Sequence, residues 1–231
     1  DIGLELPVTD LIGMGADDVK ARWPTPGPGD DKYTQGVVGV VAGSADYPGA
    51  AILCSGAAVA ATSGMVRYAG PAAAEVVSHW PEVVAAPSVQ TAGRVQAWVI
   101  GPGLGTDEAA LTALTVVLNS DLPVIVDADA LTVLAAHPHL VADRDAPTVL
   151  TPHAGEYARF GLGPVGADRV AAARGLAEAL GATVLLKGNV TVIAGPDLSY
   201  LNPAGGSWAA TAGSGDVLSG IIGALLAAGL P

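Results

Sequence analysis

The chain has 231 residues, enough for one large domain or two small ones, and its 51% hydrophobic and 14% charged composition predicts a large buried core and excludes a disordered chain. A net charge of −12 argues against a nucleic-acid partner, which needs a basic surface, but leaves a small phosphate ligand open, because backbone N–H groups bind anions without net positive charge. The single cysteine, Cys54, excludes a disulfide framework and a cysteine-rich zinc site; it reads as a small core filler and fits a reducing cytoplasm.

Residues 1–31 read as a lead-in, with "PTPGPGDD" (24–31) a linker or turn by composition. From residue 32 strand and helix patterns alternate. "GVVGVVAG" (36–43) is a buried strand. "PGAAILCSGAAVAATSG" (48–64) is a helix, with Pro48 in its first turn and Gly64 as its C-cap. "VQAWVI" (95–100) is a strand, followed by "GPGLG" (101–105). The next helix, 106–120, has Thr106 as its expected N-cap and Asp107 and Glu108 in the first turn. "PVIVDADAL" (123–131) is a strand ending in two carboxylates. "PTVL" (147–150) is another, leading into "TPHAGEYARF" (151–160), with Thr151 the expected cap and Pro152 the first helical residue. Residues 169–180 are a helix, and 182–188 and 190–195 are two strands around a tight turn. "TAGSGD" (211–216) opens the last helix. Its apolar stretch "VLSGIIGALLAAGL" (217–230) is shorter than the roughly 18 residues of a membrane span. No signal peptide is visible. The chain opens on Asp and stops at "AAGLP", so both ends are expected to be cut from something longer.

Strands alternating with helices predict an α/β fold with a mostly parallel sheet and helices on both faces. Ligands of such sheets sit at the carboxyl ends of the strands, which singles out four loops: 43–50, 101–105, 151–156 and 211–216. "GLGPVG" (161–166) matches a dinucleotide fingerprint in letters only, since a helix pattern precedes it and Pro164 interrupts it. Lys187 stands before Gly188, so the chain lacks a Walker A loop.

"TAGSGD" places glycines and first-turn N–H groups where they can cradle an anion, Ala212 to Gly215 forming the hole. Asp216 is either a helix cap or a base that takes a proton from a hydroxyl reacting at phosphorus; two flanking glycines are more than a cap needs. "LLKGNVT" (185–191) is either a plain hairpin with an exposed Lys187 or a turn that holds a nucleotide. His153 stands at a helix start above the strand ends, a loop residue or a ligand contact. His137 and His139 have the spacing of a metal pair but no third ligand near in sequence, and read as surface loop. "DADAL" (127–131) is open between metal, ribose and a cap through Asp129.

Taken together, "VVAGSADYPGAA", "VIGPGLG", "IVDADAL", "LTPHAGE", "LLKGNVTVI" and "TAGSGDVLSGIIGALLAAGL" resemble the ADP/ATP-dependent NAD(P)H-hydrate dehydratases of the ribokinase-like superfamily, from about Lys32 to the end. The resemblance implies a three-layer α/β/α sandwich over 32–231 and a repair reaction. ADP would drive loss of water from the S form of hydrated NADH or NADPH, giving NAD(P)H, AMP and phosphate. It implies Asp216 as catalytic base and Gly213, Ser214 and Gly215 as the anion hole, Gly215 also near AMP. Lys187, Gly188, Asn189, Val190 and Thr191 would line the nucleotide, and Ala50, Gly103 and His153 would touch the hydrated cofactor. It implies Mg²⁺ held mainly by phosphates and water, with no protein metal constellation. A homo-oligomer, often a tetramer, and a preceding epimerase domain ending at "DIGLELPVTD" are further implications. The rival readings are a vitamin-alcohol kinase of the same superfamily, which shares the Gly-x-Gly-Asp loop, and a non-enzymatic nucleotide sensor.

Overall fold

The apolar runs become strands and the alanine-rich segments helices in the computed structural model, which describes residues 9–61, 64–142, 144–203 and 206–231. In chain order the elements are β1 (Leu11–Gly13), α1 (Ala16–Arg22), β2 (Val37–Val41), α2 (Pro48–Ala60), β3 (Met65–Ala69), α3 (Ala73–His79), β4 (Val84–Ala86), β5 (Ala97–Ile100), α4 (Glu108–Leu118), β6 (Val124–Val126), α5 (Asp129–Ala136), α6 (His139–Ala142), β7 (Thr148–Leu150), α7 (Ala154–Tyr157), α8 (Arg169–Leu180), β8 (Thr183–Leu186), β9 (Thr191–Ala194), β10 (Ser199–Asn202) and α9 (Ser214–Ala227).

Among the described residues the strands form one ten-stranded sheet in the order β1-β10-β9-β8-β7-β6-β5-β2-β3-β4. From β4 across to β8 every neighbouring pair is parallel. β9 and β10 each run antiparallel to the strand before them, and β1 pairs parallel to β10. Leu11–Gly13, within the segment expected as a lead-in, thus adds an edge strand. Residues 1–8, where the expected junction falls, lie outside the described residues, as do Thr62 and Ser63.

Every residue of β2, β5 and β6 is buried, as strands covered on both faces must be. Alternate side chains of β2 enter opposite layers. Val37 and Val41 join the core shared with α4, α5 and α8, and Val38 and Val40 the core shared with α2, α3 and α9. The result is the expected three-layer sandwich. Gly39 lies opposite Trp98 in the register, and a Cβ there would stand 2.3 Å from the indole, so the missing side chain makes room for the ring. Strand order reverses between β2 and β5, the switch point at whose carboxyl ends ligands of such sheets bind.

Three expected caps move. α2 stops at Ala60 with Ala61 as C-cap, and Gly64 instead donates its N–H to the Gly36 carbonyl (2.9 Å) at the entry to β3. α4 is capped by Asp107, not Thr106: its carboxylate accepts the Ala110 N–H at 2.9 Å. Asp107→Ala is therefore expected to cost about 1 kcal/mol in urea unfolding, and Thr106→Ala to be near neutral. Thr151 is buried and extends the sheet past β7, pairing through both its N–H (3.2 Å) and its hydroxyl (3.3 Å) with the Val126 carbonyl. Helix α7 therefore starts only at Ala154, with His153 as its cap and Pro152 outside it. The helix reading of 106–120, the strand readings over 95–100 and 147–150, and the hairpin of 182–195 match the elements found, whereas the strand expected over 123–131 covers only Val124–Val126: the chain turns at Ala128, and Asp129–Leu131 already belong to α5.

Candidate active site

All four loops singled out by the strand-end rule gather at the carboxyl ends of the parallel strands. Loops 43–50 and 101–105 follow β2 and β5 at the switch point, joined by the Gly43 N–H donating to the Pro102 carbonyl at 2.7 Å. Ala50 and Gly103 meet there: a Cβ on Gly103 would lie 2.7 Å from that of Ala50. The Asp129 carboxylate accepts the Gly105 N–H at 2.9 Å, so it anchors loop 101–105 and does not cap α5.

Gly213 precedes α9 at φ +84°, a left-handed turn that a Cβ would strain and would also press to 2.5 Å from Leu53 Cδ1. The Ser214 hydroxyl donates to the Thr211 carbonyl at 2.9 Å and closes the turn. No side chain caps α9. Asp216 is therefore not used as a cap, and the first-turn N–H groups of Gly215 and Asp216, which have no carbonyl four residues back within the helix, are open to an anion.

Lys187 leaves the end of β8 and turns inward. Its side chain is 21% exposed, and its ammonium donates to Asp127 Oδ1 at 2.7 Å and lies 3.6 Å from Glu156 Oε2. A Cβ on Gly215 would be 3.7 Å from Lys187 Nζ, so this cation borders the first turn of α9. The exposed-lysine reading of the hairpin is thus replaced by a half-buried Lys187 paired with the buried Asp127. The turn itself faces outward, with Gly188 and Asn189 exposed and Val190 and Thr191 half-buried. Arg169 holds it from behind, donating to the Lys187 carbonyl at 3.0 Å.

Asp216 is half-buried, and its pKa is pushed up to about 6, first by burial, then by the neighbouring Asp127 carboxylate; Lys187 pulls it down and Asp129 pushes it up. It is mostly ionised at neutral pH yet basic enough to accept a proton. His153 Nδ1 accepts the N–H groups of Gly155 (2.9 Å) and Glu156 (3.2 Å), which leaves the ring N–H on Nε2, 3.6 Å from Glu156 Oε1. Glu156 returns the bond by accepting the His153 N–H at 2.8 Å.

Asp127, from the "DADAL" stretch left open between metal, ribose and a cap, completes the cluster with Glu156 and Ser219, neither of which was expected as a site residue. Asp127 Oδ2 accepts the Ser219 hydroxyl at 2.7 Å. Ala128 beside it sits at φ 51°, ψ −121°, a strained conformation for a residue with a Cβ, and such strain gathers at functional sites. "GLGPVG" follows a 3-10 turn rather than a strand, in keeping with a chance match. Among the described residues no group of three or more His, Cys, Asp or Glu could hold a metal ion, and no helix is long and apolar enough to cross a membrane.

A sequence model of NAD(P)H-hydrate dehydratase matches residues 38–231. The chain belongs to the NAD(P)H-hydrate dehydratase family. It is 73% identical to the bifunctional NAD(P)H-hydrate repair enzyme Nnr of Mycobacterium tuberculosis, over 100% of this chain and 49% of that one, so it spans about half the length of that relative. It is 43% identical to the ADP-dependent (S)-NAD(P)H-hydrate dehydratase of Neisseria meningitidis, over 87% of this chain and 72% of that one. The ADP/ATP-dependent dehydratase of Bacillus subtilis, co-crystallised with ATP and Mg²⁺, superposes with a TM-score of 0.77 at 32% identity, covering 92% of this chain and 83% of that one. A ribokinase-like superfamily protein of Enterococcus faecalis shares the fold, with a TM-score of 0.86 at 24% identity over 97% of this chain and 82% of that one. The family member described here thus has the ribokinase-like fold implied by its motifs.

Proposed function

We propose that this chain dehydrates the S form of hydrated NADH or NADPH at the expense of ADP, releasing NAD(P)H, AMP and phosphate. The observation that carries this reading is the meeting of a half-buried, ionised Asp216 with open first-turn N–H groups and the Lys187 ammonium at the strand ends. Hydroxide is a poor leaving group, and phosphorylation makes it a good one. Asp216 takes the proton of the substrate hydroxyl as its oxygen bonds to the terminal phosphorus of ADP and the bond to AMP breaks. The backbone at Gly213, Ser214 and Gly215 stabilises the charge on the transferred group. The ring nitrogen then expels phosphate, and loss of a proton from the adjacent carbon restores the double bond.

Lys187, Gly188, Asn189, Val190 and Thr191 form the nucleotide side, with Gly215 next to the AMP phosphate. Ala50 and Gly103, at the β2/β5 switch point, and the Nε2–H of His153 contact the hydrated cofactor. Both oxygens of Asp127 are already engaged by Lys187 and Ser219, so the donor set suits a Mg²⁺ held by nucleotide phosphates and water. When bound, that ion would neutralise phosphate charge. Residues 32–231 form the dehydratase domain and 1–31 a lead-in, of which Leu11–Gly13 pairs at the sheet edge. The whole protein carries an epimerase domain ahead of it, assembles as a homo-oligomer such as a tetramer, and works in the cytoplasm.

The products test this against a kinase. Phosphorus NMR of the reaction is expected to show one AMP and one free phosphate for each NADH recovered. A stable phosphoester of the acceptor would replace the dehydratase reading with a kinase.

A further inference from the structure

We propose that Asp127 is a positioning residue that aims the Lys187 ammonium at the anion hole of α9, and that Ser219 locks it to that helix. Asp127 is 1% exposed, and a carboxylate taken so far from water is costly unless both oxygens are engaged. They are: Oδ1 holds Lys187 Nζ at 2.7 Å and Oδ2 accepts the Ser219 hydroxyl at 2.7 Å. Glu156, also buried, faces the same ammonium from α7 at 3.6 Å. Two carboxylates around one cation hold it against swinging to solvent, which a lysine on a strand end otherwise does freely. An ammonium carries three N–H donors, so one committed to Asp127 leaves others for phosphate oxygens.

Place matters as much as charge. Gly215 lies between the partners: a Cβ there would be 3.7 Å from Lys187 Nζ and 3.8 Å from Asp127 Oδ2. Ser219 stands three residues after Asp216, one turn along the same helix, so the Ser219–Asp127–Lys187 chain fixes the cation relative to the base. The backbone supports this aim. Asp127 directly follows β6, where its N–H donates to the Ile100 carbonyl at 3.0 Å, and the strained Ala128 directs the chain into α5. A buried ion pair adds little to stability compared with an apolar pair of the same shape, which leaves positioning as its use.

The inference rests on the function proposed above. Its test is Asp127→Asn, nearly the same shape without the charge, with kcat, KM for ADP and for hydrated NADH, and the pH profile of kcat/KM measured beside wild type. The groups bearing on Asp216 are Asp127, Asp129, Lys187 and the buried Cys54. We expect kcat to fall about a hundredfold with KM for hydrated NADH within about threefold. The acid limb of the profile should move to lower pH, because a negative neighbour of Asp216 is gone. A folded Asp127→Asn chain with wild-type kcat and an unmoved acid limb overturns the proposal. Where Asp127→Asn does not fold, Ser219→Ala carries the test: about a fivefold to tenfold loss of kcat is expected, and wild-type kcat overturns it. An inactive wild-type chain overturns both this inference and the function beneath it, whereas an active wild type with an equally active Asp127→Asn variant overturns this inference alone.

Discussion

Asp216→Asn is expected to lower kcat about a thousandfold while ADP binding stays within about threefold, because the amide keeps the shape of the site but accepts no proton. Wild-type kcat/KM should rise with pH through about 6 as this carboxyl ionises. The same substitution should stabilise the fold, and the sign follows from the direction of the shift. The folded-state pKa of Asp216 is about 6 against an ordinary 3.8, so the folded chain holds this proton more tightly than the unfolded one. Ionisation costs nothing in stability below the ordinary value. The cost grows as pH rises towards 6 and is fully present above it. The full shift corresponds to about 3 kcal/mol, and solvent around a half-exposed group reduces this to about 1 kcal/mol. Melting curves of Asp216→Asn should therefore lie about 2–4 °C above wild type at pH 8 and coincide near pH 4. A variant with wild-type turnover would leave Asp216 no catalytic role.

Gly220→Ala is expected to cost the fold a large part of its stability. A Cβ at this position in α9 would stand 2.2 Å from the Cys54 carbonyl oxygen and 2.9 Å from the Ala57 Cβ. Both belong to α2, and neither lies at the end of a flexible side chain that can swing aside. One turn on, a Cβ at Gly223 would be 2.1 Å from Val99 Cγ2, so α9 is pressed against helix and sheet together. The added methyl must push α9 off α2, at about 3 kcal/mol. The push also displaces the first turn that carries Asp216, so activity should fall along with the melting temperature. Gly175 in α8 is the control: a Cβ there meets nothing within 4 Å, and Gly175→Ala should stabilise by about 0.5–1 kcal/mol. Equal effects at the two positions would contradict this account of the α2–α9 contact.

The contrast between these glycines shows what the sequence makes legible. The Ala- and Gly-rich composition of 48–64 and 216–230 is equally compatible with packing on a neighbouring subunit or on the sheet; only the fold puts Gly220 over Cys54. The central strands are readable because burial on both faces leaves unbroken apolar runs such as "VVGVV" and "VIV". The outer strands are not: β3 contains Arg67, and β10, near the edge, reads "SYLN" with only Ser199 fully buried. The caps at Thr106 and Thr151 failed because the neighbouring strand or loop kept the chain extended for one or two residues beyond the local signal.

The site divides the same way. Asp216 and its glycines lie within six residues and carry their own logic of N–H groups and a base. The ion pair of Lys187 joins residues 60 positions apart and the Ser219 bond residues 92 apart, and no local spacing encodes either. The glutamate of "TPHAGE" was the available signal. It stands three residues after His153, the spacing of a capping box, and the box buries that carboxylate beside Lys187.

The central claim is tested most directly by incubating the chain with the S form of hydrated NADH, ADP and Mg²⁺ and following the return of NADH absorbance. The expected result is full recovery matched by an equal amount of AMP. A folded chain that binds ADP yet restores no NADH with either ADP or ATP would contradict it.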